Sequence, residues 1–289
     1  MLRKDRTRRE HRPLIIAHRG ASGLAPENTL AAFRLAVAMG ADGFELDVQL
    51  SADGQAVVIH DAHLNRTTNR TGAVAALTVE ELAACDAGAW FAHKLARRPR
   101  IRAMAKNVMN LTQDNDLRFA GESVPRLADV LALAMAARVK RVYVELKGNR
   151  RHDKQPLFEA VLALVGQHQM ERVVTLLSFD HEIVRLVKAT TPHLRTAATF
   201  AFPGRGQLTA RAIISAVERA EADEAALHYG LATRRTVAAL HERGISVAVW
   251  TANSKLIMRR MLAVGVDAIM TNYPNRLADV LAADAGKRD

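Results

Sequence analysis

The sequence predicts an α/β fold: a (β/α)8 TIM barrel with a small insertion subdomain after the second strand. Three observations predict it. Short apolar runs alternate with segments whose apolar residues recur every three or four positions, the pattern of βα units and a parallel sheet. There are eight such runs, the strand count of a closed barrel. After the first run, Gly20 and Gly23 do not make the G-x-G-x-x-G turn of an open dinucleotide-binding sheet.

The first run, LIIAH, reads as a buried strand ending at His18, with Arg19 directly behind it. The helical segment NTLAAFRLAVAMG follows, closed by Gly40. Asn28 or Thr29 caps it, because either side chain accepts from the free N–H groups of a first turn. The second strand, GFELDV, puts Glu45 and Asp47 on one face and Phe44, Leu46 and Val48 on the other. The apolar set packs outward under the helices, which leaves two carboxylates at the barrel mouth. SADG is a turn signal, and QAVVIHD after it reads as a hairpin partner ending at His60.

About 60 residues then separate this run from the helix RLADVLALAMAA, too many for a plain loop in a compact domain. The span has its own apolar groups, Leu77, Leu82, Trp90 and Phe91, so residues 63–122 read as an inserted subdomain. In VYVEL, Glu145 shares a face with Lys147 just beyond the run. VTLLSF, RTAATF, EAALHY, ISVAVW and VDAIMT complete the eight. HEIVRLVKAT, TRRTVAALHERG and SKLIMRRMLAVG are helices among them, the last two ending at Gly244 and Gly265. Met258, Met261 and Met270 read as core, and Tyr143 and Phe179 as packing. His63, His93, His152, His181 and His228 have no constellation around them.

Length suits one or two domains, and a single one if the chain is an α/β barrel of about 250 residues, behind a basic tail of 1–13. The chain has 289 residues, 49% hydrophobic and 25% charged, enough for a sizeable core. No apolar run approaches the roughly 20 residues that span a bilayer. The N-terminus carries no apolar h-region. Cys85 is alone, so an intramolecular disulfide is excluded and a reducing cytoplasm is the expected location. A formal charge of +11 favours anionic partners. Aromatics make up only 4% and are not interleaved with the basic clusters, which argues against nucleic acid.

Two carboxylates as close as Glu45 and Asp47 are costly unless a cation or a proton lies between them. A structural pair with Arg or Lys is one reading, and a hard metal ion held by oxygen ligands is the other. Glu145 brings a third carboxylate to the mouth, and Lys147 a cationic group. His60 folds back beside His18, and two imidazoles suit acid–base chemistry near neutral pH. His18, Arg19, Glu45, Asp47, His60, Glu145 and Lys147 thus meet at strand ends, where barrel sites are built. Such a set suits a phosphate.

AHRGASGLAPENTLAAF, GADGFELDVQLSADGQAVVIHD, LNRTTNRTG, LTVEELAACDAGAWF, VPRLADVL, VELKG, SFD, VWTAN and MTNYP resemble, in order, the glycerophosphodiester phosphodiesterase family. The resemblance runs from about residue 14 to 281 and implies a (β/α)8 barrel with an insertion after its second strand. It implies hydrolysis of a glycerophosphodiester to glycerol 3-phosphate and an alcohol with a divalent cation. By the same resemblance Glu45, Asp47 and Glu145 are metal ligands and His18 and His60 the catalytic pair. Arg19 and Lys147 bind phosphate, and Trp250 lines the glycerol side. Three carboxylates without a thiolate favour Mg²⁺ or Ca²⁺ over Zn²⁺. The attacker is water, or the adjacent glycerol hydroxyl by way of a cyclic phosphate.

Residues 93–118 depart from the family pattern with a longer basic stretch. As a helix it would set Ile101, Met104, Val108 and Met109 beside Arg97, Arg98, Arg100, Arg102 and Lys106. It is either a solvated surface helix or a membrane-facing lid. The second reading allows peripheral membrane contact and lysophospholipid substrates. No aromatic cluster suited to caging a quaternary ammonium is visible, so broad tolerance of the leaving alcohol is expected.

Overall fold

A twisted parallel sheet whose strands are all apolar on their outer face can bury that face only under helices, and it removes its edges by closing. The computed structural model does this, and it describes residues 12–108, 119–147, 151–202 and 208–286. The barrel strands are β1 (Leu14–His18) and β2 (Gly43–Leu50), then, after the hairpin strand β3 (Ala56–Val58), β4 (Arg141–Leu146), β5 (Val174–Ser178) and β6 (Arg195–Phe200), followed by β7 (Glu224–His228), β8 (Ser246–Trp250) and β9 (Ala268–Thr271). β1 pairs in parallel with both β2 and β9, which closes the ring of eight. β3 lies antiparallel on the far end of β2, as the SADG turn requires.

The helices on the outside are α1 (Leu30–Ala38), then α2 (Val79–Ala83), α3 (Ala89–Ala96) and α4 (Pro99–Val108) between β3 and the next helix, α5 (Leu127–Ala136). They continue with α6 (Arg151–Gln167), α7 (His181–Thr190), α8 (Ala210–Arg219), α9 (Arg234–His241), α10 (Lys255–Val264) and α11 (Pro274–Ala285). None of the described helices is long and apolar enough to cross a membrane. Thr29, not Asn28, caps α1, accepting from the Ala32 N–H at 3.2 Å.

Phe44, Leu46 and Val48 do face outward, into a layer with Phe33 and Ala36 of α1 and Leu127, Val130 and Leu131 of α5. Each such side chain contributes about 1.5–3 kcal/mol by leaving water. The interior holds Ile16, Tyr143, Leu177, Met270 and the small Ala197, Ala226, Ala248 and Ala268. Alanines on four strands leave depth beneath the mouth. Met258 and Met261 are fully buried under the helices.

At the opposite face one device is used three times. Asp42, Asp223 and Asp267 each precede a strand and accept a backbone N–H from the neighbouring one, Ile15 (2.9 Å), Thr196 (2.9 Å) and Val247 (2.7 Å) respectively. Each also holds a basic side chain: Lys140 (2.8 Å), Lys188 (2.9 Å) and His241 (2.7 Å). This end of a barrel carries stability rather than chemistry.

The chain between β3 and α5 packs against the barrel in two places. Leu64, Val74, Val79, Leu82 and Cys85 cover Val57 and Ile59. Phe91, Leu95, Ala105 and Phe119 bury against Leu24, Ala25 and Ala32, with Ile101, Met104 and Val108 packed on the same cluster. The apolar side of α4 is therefore turned inward; Met109 lies outside the described residues.

Candidate active site

Register builds the site. His18 stands level with Glu45, and Asp47 level with Glu145. Side chains on one face of adjacent strands meet at that level, so three carboxylates converge at the mouth. One oxygen from each of Glu45, Asp47 and Glu145 lies within 4.8 Å of the others, and all three residues are buried. Two cations flank them. Arg19 Nε is 3.0 Å from Asp47 Oδ2, and Lys147 Nζ is 3.0 Å from Asp47 Oδ1 and pairs with Glu145 Oε1. Two positive groups face three negative ones.

The imbalance appears in the titration of the cluster. Burial, with Asp47 and Glu145 alongside, pushes the Glu45 carboxyl well above the usual range, and Glu145 is raised for the same reasons. Burial would also raise Asp47, but Arg19 and Lys147 outweigh it and hold that group well below. Glu45 Oε1 is buried without a hydrogen-bond partner. An all-oxygen, convergent, buried donor set with an unused oxygen and one excess negative charge fits a hard divalent cation. The ion-pair reading of Glu45 and Asp47 is thus half of the arrangement, and a cation would complete it.

Both imidazoles line the same cavity. His18 Nδ1 donates to Asn272 Oδ1 at 2.8 Å, leaving Nε2 3.8 Å from Glu45 Oε2. Burial and the Arg19 charge pull His18 down to about 4. His60 Nδ1 donates to Asp61 Oδ1 at 2.5 Å, and burial lowers this group too. The turn after β1 is tightly wound: Arg19 takes φ 56°, and its N–H donates to Glu45 Oε2 at 3.0 Å. A non-glycine residue in that region costs free energy and persists where the surroundings over-determine it.

The far wall is aromatic. Trp250 ends β8, its Nε1 donating to Ala226 O at 3.1 Å. Phe179 and His228 each pack edge-on to it, with ring centroids 5.6 Å away. Phe202 and Tyr229 continue the row from His228. Leu177, Ala226 and Met270 line the cavity between the walls, about 220 Å³ in volume. His18, Arg19, Glu45, His60, Glu145, Lys147 and Trp250 all line it, while Asp47 lies fully buried behind.

Several expectations change here. Phe179 is 46% exposed and lines the cavity rather than the core, and Met270 does both. His228 does have a constellation, the aromatic row. The row itself went unseen because its rings are distant in sequence and meet only when β5 to β8 are set side by side. Asn28, read as a cap, instead donates from Nδ2 to Asp47 Oδ2 at 2.8 Å with φ 58°, a left-handed conformation in which Asn is enriched. Glu27, Asp61, Arg66 and Asn272 were also missed. For Asp61, its place beside His60 was the available signal.

Residues 18–276 match the model of the glycerophosphoryl diester phosphodiesterase family. The chain is 34% identical to a glycerophosphodiester phosphodiesterase of Caldanaerobacter subterraneus subsp. tengcongensis, covering 93% of this chain and 97% of that protein. It is 32% identical to one from Bacillus altitudinis, over 92% and 97%. Among solved structures, a phosphodiesterase of Oleispira antarctica in complex with the product sn-glycerol-3-phosphate superposes with a TM-score of 0.76 at 25% identity, covering 93% of this chain and 97% of that one. The glycerophosphodiester phosphodiesterase of Agrobacterium tumefaciens gives 0.72 at 30%, over 93% and 100%. With this match across nearly the whole barrel, the chain belongs to the glycerophosphoryl diester phosphodiesterase family.

Proposed function

We propose that this chain hydrolyses glycerophosphodiesters to glycerol 3-phosphate and an alcohol, with His18 and His60 as the acid–base pair and Glu45, Asp47 and Glu145 holding a Mg²⁺ or Ca²⁺ ion. The observation that carries the reading is the pocket itself: one cavity lined by two imidazoles and two cations at three convergent carboxylates. A divalent ion at these carboxylates supplies Lewis-acid neutralisation of charge on a phosphodiester oxygen. Arg19 and Lys147 bind the other phosphate oxygens and offset the charge that develops on them. Trp250 and Phe179 line the glycerol side and keep water from it.

The two histidines differ in what holds Nδ1. The Asn272 amide oxygen fixes the His18 tautomer with Nε2 free, and its pull toward the imidazolium is outweighed by burial and the Arg19 charge, which suits a base taking the proton of the attacking hydroxyl. Asp61 is a carboxylate and stabilises the protonated ring, which suits His60 as the donor to the leaving alkoxide. Soluble diesters are favoured over lysophospholipids because Ile101, Met104 and Val108 of α4 are already committed to the barrel. Cytoplasmic location belongs to the same reading and rests on the lone, buried Cys85.

The test is glycerol 3-phosphate release from glycerophosphocholine and glycerophosphoethanolamine by chelator-treated protein, with Mg²⁺ or Ca²⁺ restored. Activity is expected only after restoration. Full activity in chelator would remove the metal from the mechanism, and no product from any diester would remove the activity.

A further inference from the structure

Arg66 ends the 3-10 turn Leu64–Arg66, a few residues past His60. Its guanidinium makes four hydrogen bonds. Nε (2.6 Å) and Nη2 (3.1 Å) donate to the two oxygens of Asp61. Nη1 and Nη2, both at 2.9 Å, donate to the two oxygens of Glu27. Asp61 is the acceptor of His60 Nδ1, and Glu27 Oε1 accepts from Arg19 Nη1 at 2.8 Å. One side chain therefore closes a continuous path, His60–Asp61–Arg66–Glu27–Arg19, between two residues that line the pocket.

We infer that Arg66 is a positioning residue that sets both the His60 ring and the Arg19 guanidinium by gripping the carboxylate behind each. This rests on the roles proposed above for His60 and Arg19. Four of its five N–H groups are engaged, so it is not free to hold phosphate as Arg19 and Lys147 would. Its planar fork matches two carboxylates at fixed angles, which a lysine ammonium, a point charge, does not. Without it, Asp61 would keep His60 and Glu27 would keep Arg19, but no shared cation would hold the two carboxylates to each other. Arg66 and Asp61 are 43% and 31% exposed, so solvent screens that side of the grip more than the side at Glu27, which is 12% exposed, and the net contribution to stability is small. Its effect is therefore on geometry. Burial would raise the Glu27 carboxyl, and the bonds from Arg66 and the Arg19 charge reverse that and keep it ionised as a hinge for Arg19.

The experiment compares R66Q, R66K, D61N, E27Q and the triple variant R66Q/D61N/E27Q in the full chain, with glycerophosphoethanolamine as substrate. It reads kcat, KM, melting and the NMR signal of the His60 Nδ1–H. D61N is expected to lower kcat by about 10- to 100-fold, the scale of a small misplacement, with little change in KM. E27Q raises KM through Arg19. R66Q shows both effects, broadens or shifts the Nδ1–H resonance and leaves melting unchanged. R66K recovers only part of the loss, and adding R66Q to D61N/E27Q costs less than about twofold more, because coupled groups are not additive. A fully active R66K, an R66Q with kcat and KM as in the wild type, a full-sized R66Q effect in the D61N/E27Q background, or an unmoved Nδ1–H resonance would each overturn the inference. A wild-type chain that releases no glycerol 3-phosphate sinks the hydrolase reading instead, and the resonance still decides the role of Arg66.

Discussion

His18 and His60 look alike in sequence, and what separates them is the partner at Nδ1: an amide oxygen for one, a carboxylate for the other. The difference makes a prediction that depends on the leaving group. Replacing either by Ala should cut turnover of glycerophosphoethanolamine by about two orders of magnitude or more, the range of acid–base catalysis. A p-nitrophenyl ester of glycerol phosphate has a leaving group that needs no proton. His60→Ala should recover most of its rate on that ester, and His18→Ala should not. The opposite pattern would exchange the two roles. Asn28 offers a second prediction at this scale. Its Nδ2 bond to Asp47 orients a carboxylate that has no exposed surface. Asn28→Ala should weaken cation binding by about 10- to 100-fold, the range for groups that orient a metal ligand, measured by isothermal titration with Mg²⁺ or Ca²⁺. Unchanged affinity would make Asn28 a turn residue only.

Among the elements, β2 carries the heaviest load, because it pairs with β1, β3 and β4 and holds two of the three carboxylates. Gly43 opens it, and a Cβ there would lie 1.8 Å from the Arg141 carbonyl oxygen of β4. The contact is backbone to backbone, so neither strand yields without breaking register. Gly43→Ala should cost about 3 kcal/mol or more, at the upper end of overpacking, read as a lower denaturation midpoint. A wild-type midpoint would mean the β2–β4 pairing is looser than drawn. The helix α4 makes the contrasting prediction. Its apolar side packs on the barrel, and Arg97 and Arg98 just before it and Arg100 in its first turn are exposed. Neutralising these three should leave hydrolysis of a soluble diester unchanged with or without anionic vesicles. Rates that rise with vesicles and fall on neutralisation would restore the membrane-facing lid.

For the whole molecule, the carboxylate cluster couples ligand to fold. Three carboxylates are buried beside two cations at the mouth of a closed barrel, and burial there disfavours the charge of Glu45 until a cation joins it. A divalent ion that binds only the folded chain adds stability, about 2.7 kcal/mol at a hundred times its dissociation constant. Mg²⁺ or Ca²⁺ should therefore raise the melting temperature of the wild type and not of Glu45→Ala. Equal shifts in both would place the ion elsewhere.

How much of this was legible in the sequence follows from the range of each interaction. Strand and helix type, the eight-fold count, the outward set Phe44, Leu46 and Val48 and the inward pair Glu45 and Asp47 were all readable, since period and alternation are local properties of the chain. So was the hairpin at SADG. Thr29 against Asn28 as cap was not, because the two are chemically alike and the choice was made by Asp47, which stands across a strand and recruits Asn28. The aromatic wall and the Arg66 bridge escaped for the same reason: Phe179, Phe202, His228 and Trp250 sit on separate βα units, and Glu27 and Arg66 lie 39 residues apart. Local sequence determined the barrel and the residues that face its mouth. Only closure of the ring decided which of them touch, because the partners of a side chain at a strand end come from neighbouring strands and their loops, which contact order places far away along the chain.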